Sequence, residues 1–295
     1  MATARNRGGS PRFARRSLHG NARHRQRSAG APNRKLPRLV IPIKDNIPTD
    51  RFPFVTVALI VINFVAYILA IRHGGSFFSG PDLQEEVKYS AIPFTLTHSG
   101  YHCGLAQSLG GAELRCIHGA APNTLPTWET VFTAMFMHAS IIHIAGNMLF
   151  LWIFGNNVED AMGHVKFVIF YLVGGIAALA LQVAISPNAI VPTLGASGAI
   201  AAVLGGYIVL YPRARVLALV IIIFFFTVIE LPAWVMLGIW FAEQAVFGAA
   251  NLTTPTGSGG GVAYFAHIGG FAFGLLAIRL LATNRKQLPP RTPVY

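Results

Sequence analysis

Six apolar runs, at 54–71, 130–154, 167–185, 195–210, 233–248 and 263–282, constrain this chain more than anything else in it. Most approach or exceed the roughly 17 residues that a helix needs to cross the hydrocarbon core of a bilayer. A single soluble core cannot hide them, because 53% of the residues are hydrophobic and only 12% are charged. The expected fold class is an all-α polytopic membrane protein with six spans. A further apolar run at 216–229, closed by Glu230 and Pro232, is read with its neighbours to 232 as a buried or interfacial connector. Were it a seventh span, the last helix would enter from the opposite side, and polar residues near the starts of the fourth and last runs would lie a membrane thickness apart.

Charge orients the bundle. Residues 1–50 hold 12 Lys/Arg against two Asp, and they are rich in Gly, Pro and Ser. Such a segment cannot bury enough apolar surface to fold, so 1–50 is expected to be a disordered basic arm, followed by a core at 51–282 and a short tail at 283–295. The arm lacks the apolar core of a secretory signal peptide; it shares Arg richness with mitochondrial transit peptides, but a cytoplasmic topology anchor that touches anionic lipid fits better than either an import signal or a nucleic-acid-binding tail. With six spans and the N-terminus inside, inner segments carry 20 Lys/Arg and outer loops only Arg72, Lys88 and Arg115, as the positive-inside rule requires. Both termini are therefore expected in the cytoplasm. The long outer loop at 72–127 is expected to have structure of its own, and Cys103 and Cys116 within it face the oxidising side, where a disulfide is plausible. The Gly/Ser-rich stretch at 255–261 reads as a mobile lid.

Polar residues inside apolar runs are costly and therefore informative. Ser197 stands in Gly195-Ala196-Ser197-Gly198, at the start of a helical run. Ser197, Ala201, Gly205 and Ile208 share one helix face; His267, Gly270 and Gly274 share one face of the last run. Two such small faces allow close helix approach, which would bring Ser197 and His267 together as nucleophile and general base. In the second run His143 and Asn147 stack four residues apart and suit donation to a developing oxyanion, whereas His138, about 140° away on a helical wheel, is expected to bond loop backbone. HExxH is absent and no Asp lies in the spans as drawn, which argues against metallo- and aspartyl-type intramembrane proteolysis. Glu243 is the only acid well inside a span, read as sitting at the interface. No metal or other cofactor is implied. A solute transporter would call for an internal repeat or broken helices, and no convincing repeat is present.

The strings HASIIHIAGNMLFLWIFGNNVED, GASGAIAAVLGGY and AHIGGFAFG, in that order, resemble the rhomboid family of intramembrane serine proteases over residues 52–282. The resemblance implies a six-transmembrane-helix bundle and a Ser-His dyad of Ser197 and His267 without a third acid. It also implies an oxyanion hole lined by His143 and Asn147, support of the first loop by His138, and cleavage of transmembrane protein substrates near small residues in the lipid bilayer. Many members carry a Tyr four residues after the nucleophile to pack against the histidine; here that place is Ala201. A Trp-Arg pair found in loop one of some members is also absent. The extra span of some eukaryotic members is not seen, which points to a bacterial cytoplasmic membrane. A rhomboid-like protein that binds clients without cutting them would tolerate loss of Ser197 or His267, yet both are present. Oligomeric state is not legible.

Overall fold

A computed structural model describes residues 38–108, 111–119, 125–222, 225–253 and 262–283. Six helices dominate it: α1 (Phe54–Arg72), α2 (Ile141–Met162), α3 (His164–Ile185), α4 (Ser197–Leu210), α5 (Ala233–Thr253) and α6 (Tyr264–Leu281). Five of them are long and apolar enough to cross a membrane, and α4 is the exception. It has 14 residues, which at about 1.5 Å per residue falls short of the ~30 Å hydrocarbon core. Its composition shows why it is central. Small residues on every side let neighbouring helices close over it, and Ala199 to Tyr207 are all buried.

α1 shows how the bundle meets lipid. Its buried residues Thr56, Leu59, Asn63, Tyr67 and Ala70 recur every three or four positions, giving one inward stripe. Val61, Ile62, Val65 and Leu69 point outward and are exposed, as they must be where the solvent is hydrocarbon. α1 starts at Pro53 without a side-chain cap of its own. Glu159 of α2 supplies one, accepting from the N–H groups of Val55 and Thr56 (2.9 and 2.8 Å), from Thr56 Oγ1 and from His164 Nδ1. A carboxylate at the positive end of a helix is favourable, and it ties the starts of α1 and α3 to the end of α2. That end lies further along the chain than the sequence suggested. α2 continues through a π-helical turn at Leu151–Gly155 to Met162, so Glu159 and Asp160 belong to it, correcting the expectation that no Asp lies in a span.

The chain is mostly helical, but the all-α expectation needs correction. β1 (Arg38–Asp45), β4 (Arg215–Ile222) and β5 (Phe225–Pro232) form an antiparallel sheet in the order β1-β4-β5, where β2 and β3 denote the loop hairpin Tyr101–Ser108 and Gly111–His118. The run at 216–232 is indeed no spanning helix. Its Val, Ile and Phe content favours strand as much as helix, and short apolar runs carry no period that separates the two. The sheet also moves the edge of the arm: residues 38–45, assigned to the disordered segment, pair with β4 from Arg38↔Ile222 to Asp45↔Val216. Pro42 is tolerated because β1 is an edge strand whose register shifts between Pro42 and Lys44. Asp45 then anchors the strand in the bundle, accepting from Tyr207 Oη of α4 and from Asn157 Nδ2 of α2 (2.7 Å). Burial pushes its carboxyl up to about 6, against the pull of the Tyr207 hydrogen bond. Residues 1–37, the stretch at 255–261 and the tail from 284 lie outside the described residues.

The loop between α1 and α2 is structured, with short helices at Leu83–Tyr89 and Pro93–Thr97 and the β2-β3 hairpin. Cys103 and Cys116 stand directly opposite in that hairpin and are joined by a disulfide. The loop matters to the interior because Ala91 exchanges both backbone hydrogen bonds with Thr193 (3.0 and 2.8 Å), steadying the segment that leads into α4.

Candidate active site

Ser197 is the first residue of α4, so it sits where the N–H groups of a helix lack intrahelical partners. The chain reaches it through Gly195, at φ +117°, a backbone that favours glycine. Space requires glycine as well: a Cβ there would lie 2.9 Å from His143 Nε2 and 3.7 Å from Asn147 Nδ2. The donors of α2 thus face the turn that presents Ser197. Gly195 N–H donates to Ala134 O at 2.8 Å and Ala196 N–H to His138 Nε2 at 3.5 Å, so the turn is held from below by backbone and imidazole together.

His267 lies one turn into α6, with Nε2 2.7 Å from Ser197 Oγ. Depth is matched by α3, whose Gln182 Oε1 accepts from the N–H of Ala266 at 3.2 Å. The approach of α4 to α6 is backbone against backbone. A Cβ on Gly270 would fall 2.1 Å from Gly198 O, and one on Gly274 2.0 Å from Ala202 O. A Cβ on Gly205 would fall 2.1 Å from Phe271 O. The small-residue faces inferred from sequence do meet, with the contact line also taking in Gly198, Ala202 and Gly206 beside the expected face.

All five residues singled out in the sequence converge here. Asn147 Nδ2 is buried and has no hydrogen-bond partner among the described residues, which is costly for an amide donor unless an acceptor arrives during function. His143 is half-buried on the same face. His138 is fully buried and bonds backbone at both ring nitrogens, to Phe136 O (3.3 Å) and to the N–H of Ala196. Its ring nevertheless packs edge-on against His143, 5.1 Å between centroids. The helical-wheel angle between them had no force because α2 starts only at Ile141, capped by Ser140 Oγ. A small apolar pocket beside Ser197 is lined by Val131, Met135, Gly175, Ala178 and Leu179.

Two residues of α5 were missed. Trp240 lies against the His267 imidazole, 5.7 Å between ring centroids and tilted by 38°. Gln244 is buried, and its Oε1 is 2.7 Å from His267 Nδ1. The signal was present in the sequence: a glutamine inside an apolar run is as expensive as the histidines that were noticed. Glu243, its neighbour, is exposed. Among the described residues no group of three or more His, Cys, Asp or Glu is placed to hold a metal ion.

The family model described as "Rhomboid domain" matches residues 126–284, which include every residue of this cluster. Over 151 residues the chain is 33% identical to Rhomboid protein 1, mitochondrial, of Saccharomyces cerevisiae, covering 50% of this chain and 40% of that protein. It is 33% identical over 94 residues to the mitochondrial presenilin-associated rhomboid-like protein of Mus musculus, covering 31% and 25%. It is also 38% identical over 90 residues to Rhomboid protease GluP of Bacillus subtilis, covering 30% and 17%. The match thus spans less than half the length of each of these relatives.

Proposed function

The chain belongs to the rhomboid family, and from that membership we propose that this multi-pass membrane protein is an intramembrane serine endopeptidase. It hydrolyses peptide bonds in or near the transmembrane segments of other membrane proteins. The observation that carries the reading is the 2.7 Å contact between Ser197 Oγ and His267 Nε2. In the proposed reaction Ser197 Oγ bonds to the scissile carbonyl carbon as its proton passes to His267 Nε2. The carbonyl oxygen takes up the electron pair and is received by His143 and Asn147; the unpartnered Asn147 Nδ2 supports that role. The C–N bond then breaks, the leaving amine takes the proton, and water resolves the acyl-enzyme through the same histidine. The small pocket beside Ser197 fits a small substrate side chain. His138, bonded to backbone, is assigned a structural part.

The test is cleavage of a transmembrane model substrate by the purified full chain in proteoliposomes. Wild type is expected to give two fragments and Ser197→Ala none; no cutting by either contradicts the proposal. His143→Ala and Asn147→Ala are each expected to lower kcat by about 10- to 1000-fold while the protein still purifies as one species. Wild-type turnover by Asn147→Ala would remove that residue from the oxyanion site.

We further assign α4 as the sixth crossing, with the core running from β1 to α6 and both termini on the cytoplasmic side, on the strength of the 20-to-3 charge asymmetry. Most of the similar relatives are mitochondrial, so the bacterial cytoplasmic membrane expected from the sequence has no support from them. In a chain lacking Cys103 and Cys116, Ser258→Cys is expected to react with an impermeant thiol reagent from outside and Arg213→Cys only from inside. An externally reactive Arg213→Cys would overturn this topology.

A further inference from the structure

A serine and a histidine act as a pair only when the imidazole offers a bare nitrogen to the hydroxyl. A neutral imidazole has two tautomers, and which nitrogen carries the proton is set by the hydrogen bond that the other makes. His267 therefore needs an acceptor at Nδ1. The sequence supplies no acid at that place; the structure supplies an amide.

Gln244 stands one turn after Trp240 on α5, buried, with Oε1 2.7 Å from His267 Nδ1. Its amide orientation is fixed from the other end, because Nε2 donates to the carbonyl oxygen of Trp240 at 3.3 Å. An amide oxygen can only accept, so Nδ1 must carry the proton and Nε2 must be bare. Donors and acceptors then run without conflict from Trp240 O through Gln244 and His267 to the hydroxyl of Ser197, which donates to Nε2.

We propose that Gln244 is the positioning residue of the Ser197–His267 pair, holding His267 in the Nδ1–H tautomer and aiming Nε2 at Ser197 Oγ; this role rests on the proposed protease reading. When Ser197 Oγ bonds to the scissile carbon and its proton moves to Nε2, His267 becomes an imidazolium with both nitrogens protonated. Gln244 Oε1 keeps its bond to Nδ1–H, and its dipole steadies the new positive charge without taking a proton. An amide serves the same purpose in Cys-His-Asn sites, so no carboxylate is needed. The Trp240 ring restrains the imidazole from a second direction. Both supports come from α5, whereas Ser197 and His267 belong to α4 and α6.

The test compares near-isosteres in the purified full chain, reading the rate of fluorophosphonate labelling at Ser197 and the kcat and KM for a transmembrane peptide. Gln244→Leu keeps the bulk and removes the acceptor; labelling and kcat are expected to fall about 10- to 100-fold with KM changed by less than about twofold. Gln244→Glu keeps an acceptor facing Nδ1–H and is expected to recover most of that loss. Wild-type rates in Gln244→Leu, or equal losses in Gln244→Leu and Gln244→Glu, would overturn the proposal, the second because it would leave only a packing role. Should Gln244→Leu fail to purify as one species, the 15N spectrum of His267 in the wild-type chain decides: a proton on Nδ1 is expected, and a proton on Nε2 overturns it. A wild-type chain that is not labelled at Ser197 is a different result, since it removes the dyad itself and this role with it.

Discussion

Gly274→Val is expected to abolish proteolysis and Ser197 labelling, although residue 274 lies about two turns from His267 and outside the proposed catalytic cluster. A Cβ at Gly274 would lie 2.0 Å from Ala202 O, 2.8 Å from Ala202 C and 2.9 Å from Gly206 N, and all three are helix backbone that cannot rotate aside. The branched side chain can be accommodated only by moving α6 away from α4. Because Ser197 and His267 sit on those two helices, the displacement falls on the reacting pair, where about 1 Å of misplacement costs on the order of a hundredfold in rate. Gly205→Val is expected to act in the same way from the other side, against Phe271 O at 2.1 Å. Gly238→Ala on α5, whose Cβ would meet nothing within 4 Å, is the control expected to stay active. Each is measured in a variant that inserts and purifies as a single species. Full activity of Gly274→Val would mean that the α4–α6 contact does not set the geometry of the pair.

The parts of the site that the sequence made legible are those encoded along one element or by two complementary faces. Ser197 after Gly195, His143 and Asn147 one turn apart, and His267 above Gly270 and Gly274 each announce themselves as polar groups in apolar surroundings, and the structure gathers all four. What it could not announce was the support of His267 from α5. No small-residue face marks the approach of α5 to α6, and Gln244 and Trp240 acquire meaning only once that approach is known. Ala201 offers no ring at the place where many members carry a Tyr, and in this structure the ring beside His267 is Trp240, from another element. The β1-β4-β5 sheet escaped notice for a different reason. Residues 216–232 are apolar and rich in residues that favour strands, yet too uniform to show a period, and β1 has no meaning until β4 exists to pair with it. The cap that Glu159 places on α1 was equally hidden, since α1 and Glu159 are about a hundred residues apart and nothing local requires them to meet.

Loss of either reacting group is the other large effect. Ser197→Ala removes the atom that forms the covalent bond in the proposed reaction, and His267→Ala removes the imidazole hydrogen-bonded to that atom. Each is expected to lower turnover by at least about a thousandfold, and the double variant to be little worse than either, as for groups that act as a unit. A serine hydroxyl without an adjacent base is inert near neutral pH, so selective reaction with a phosphonylating reagent reports the pair directly. The decisive measurement is therefore peptide mass spectrometry of the purified full chain after fluorophosphonate treatment, run on wild type, Ser197→Ala and His267→Ala. One adduct is expected, on the peptide containing Ser197, in wild type alone; equal labelling of wild type and Ser197→Ala, or full labelling of Ser197 in His267→Ala, would contradict the proposed dyad.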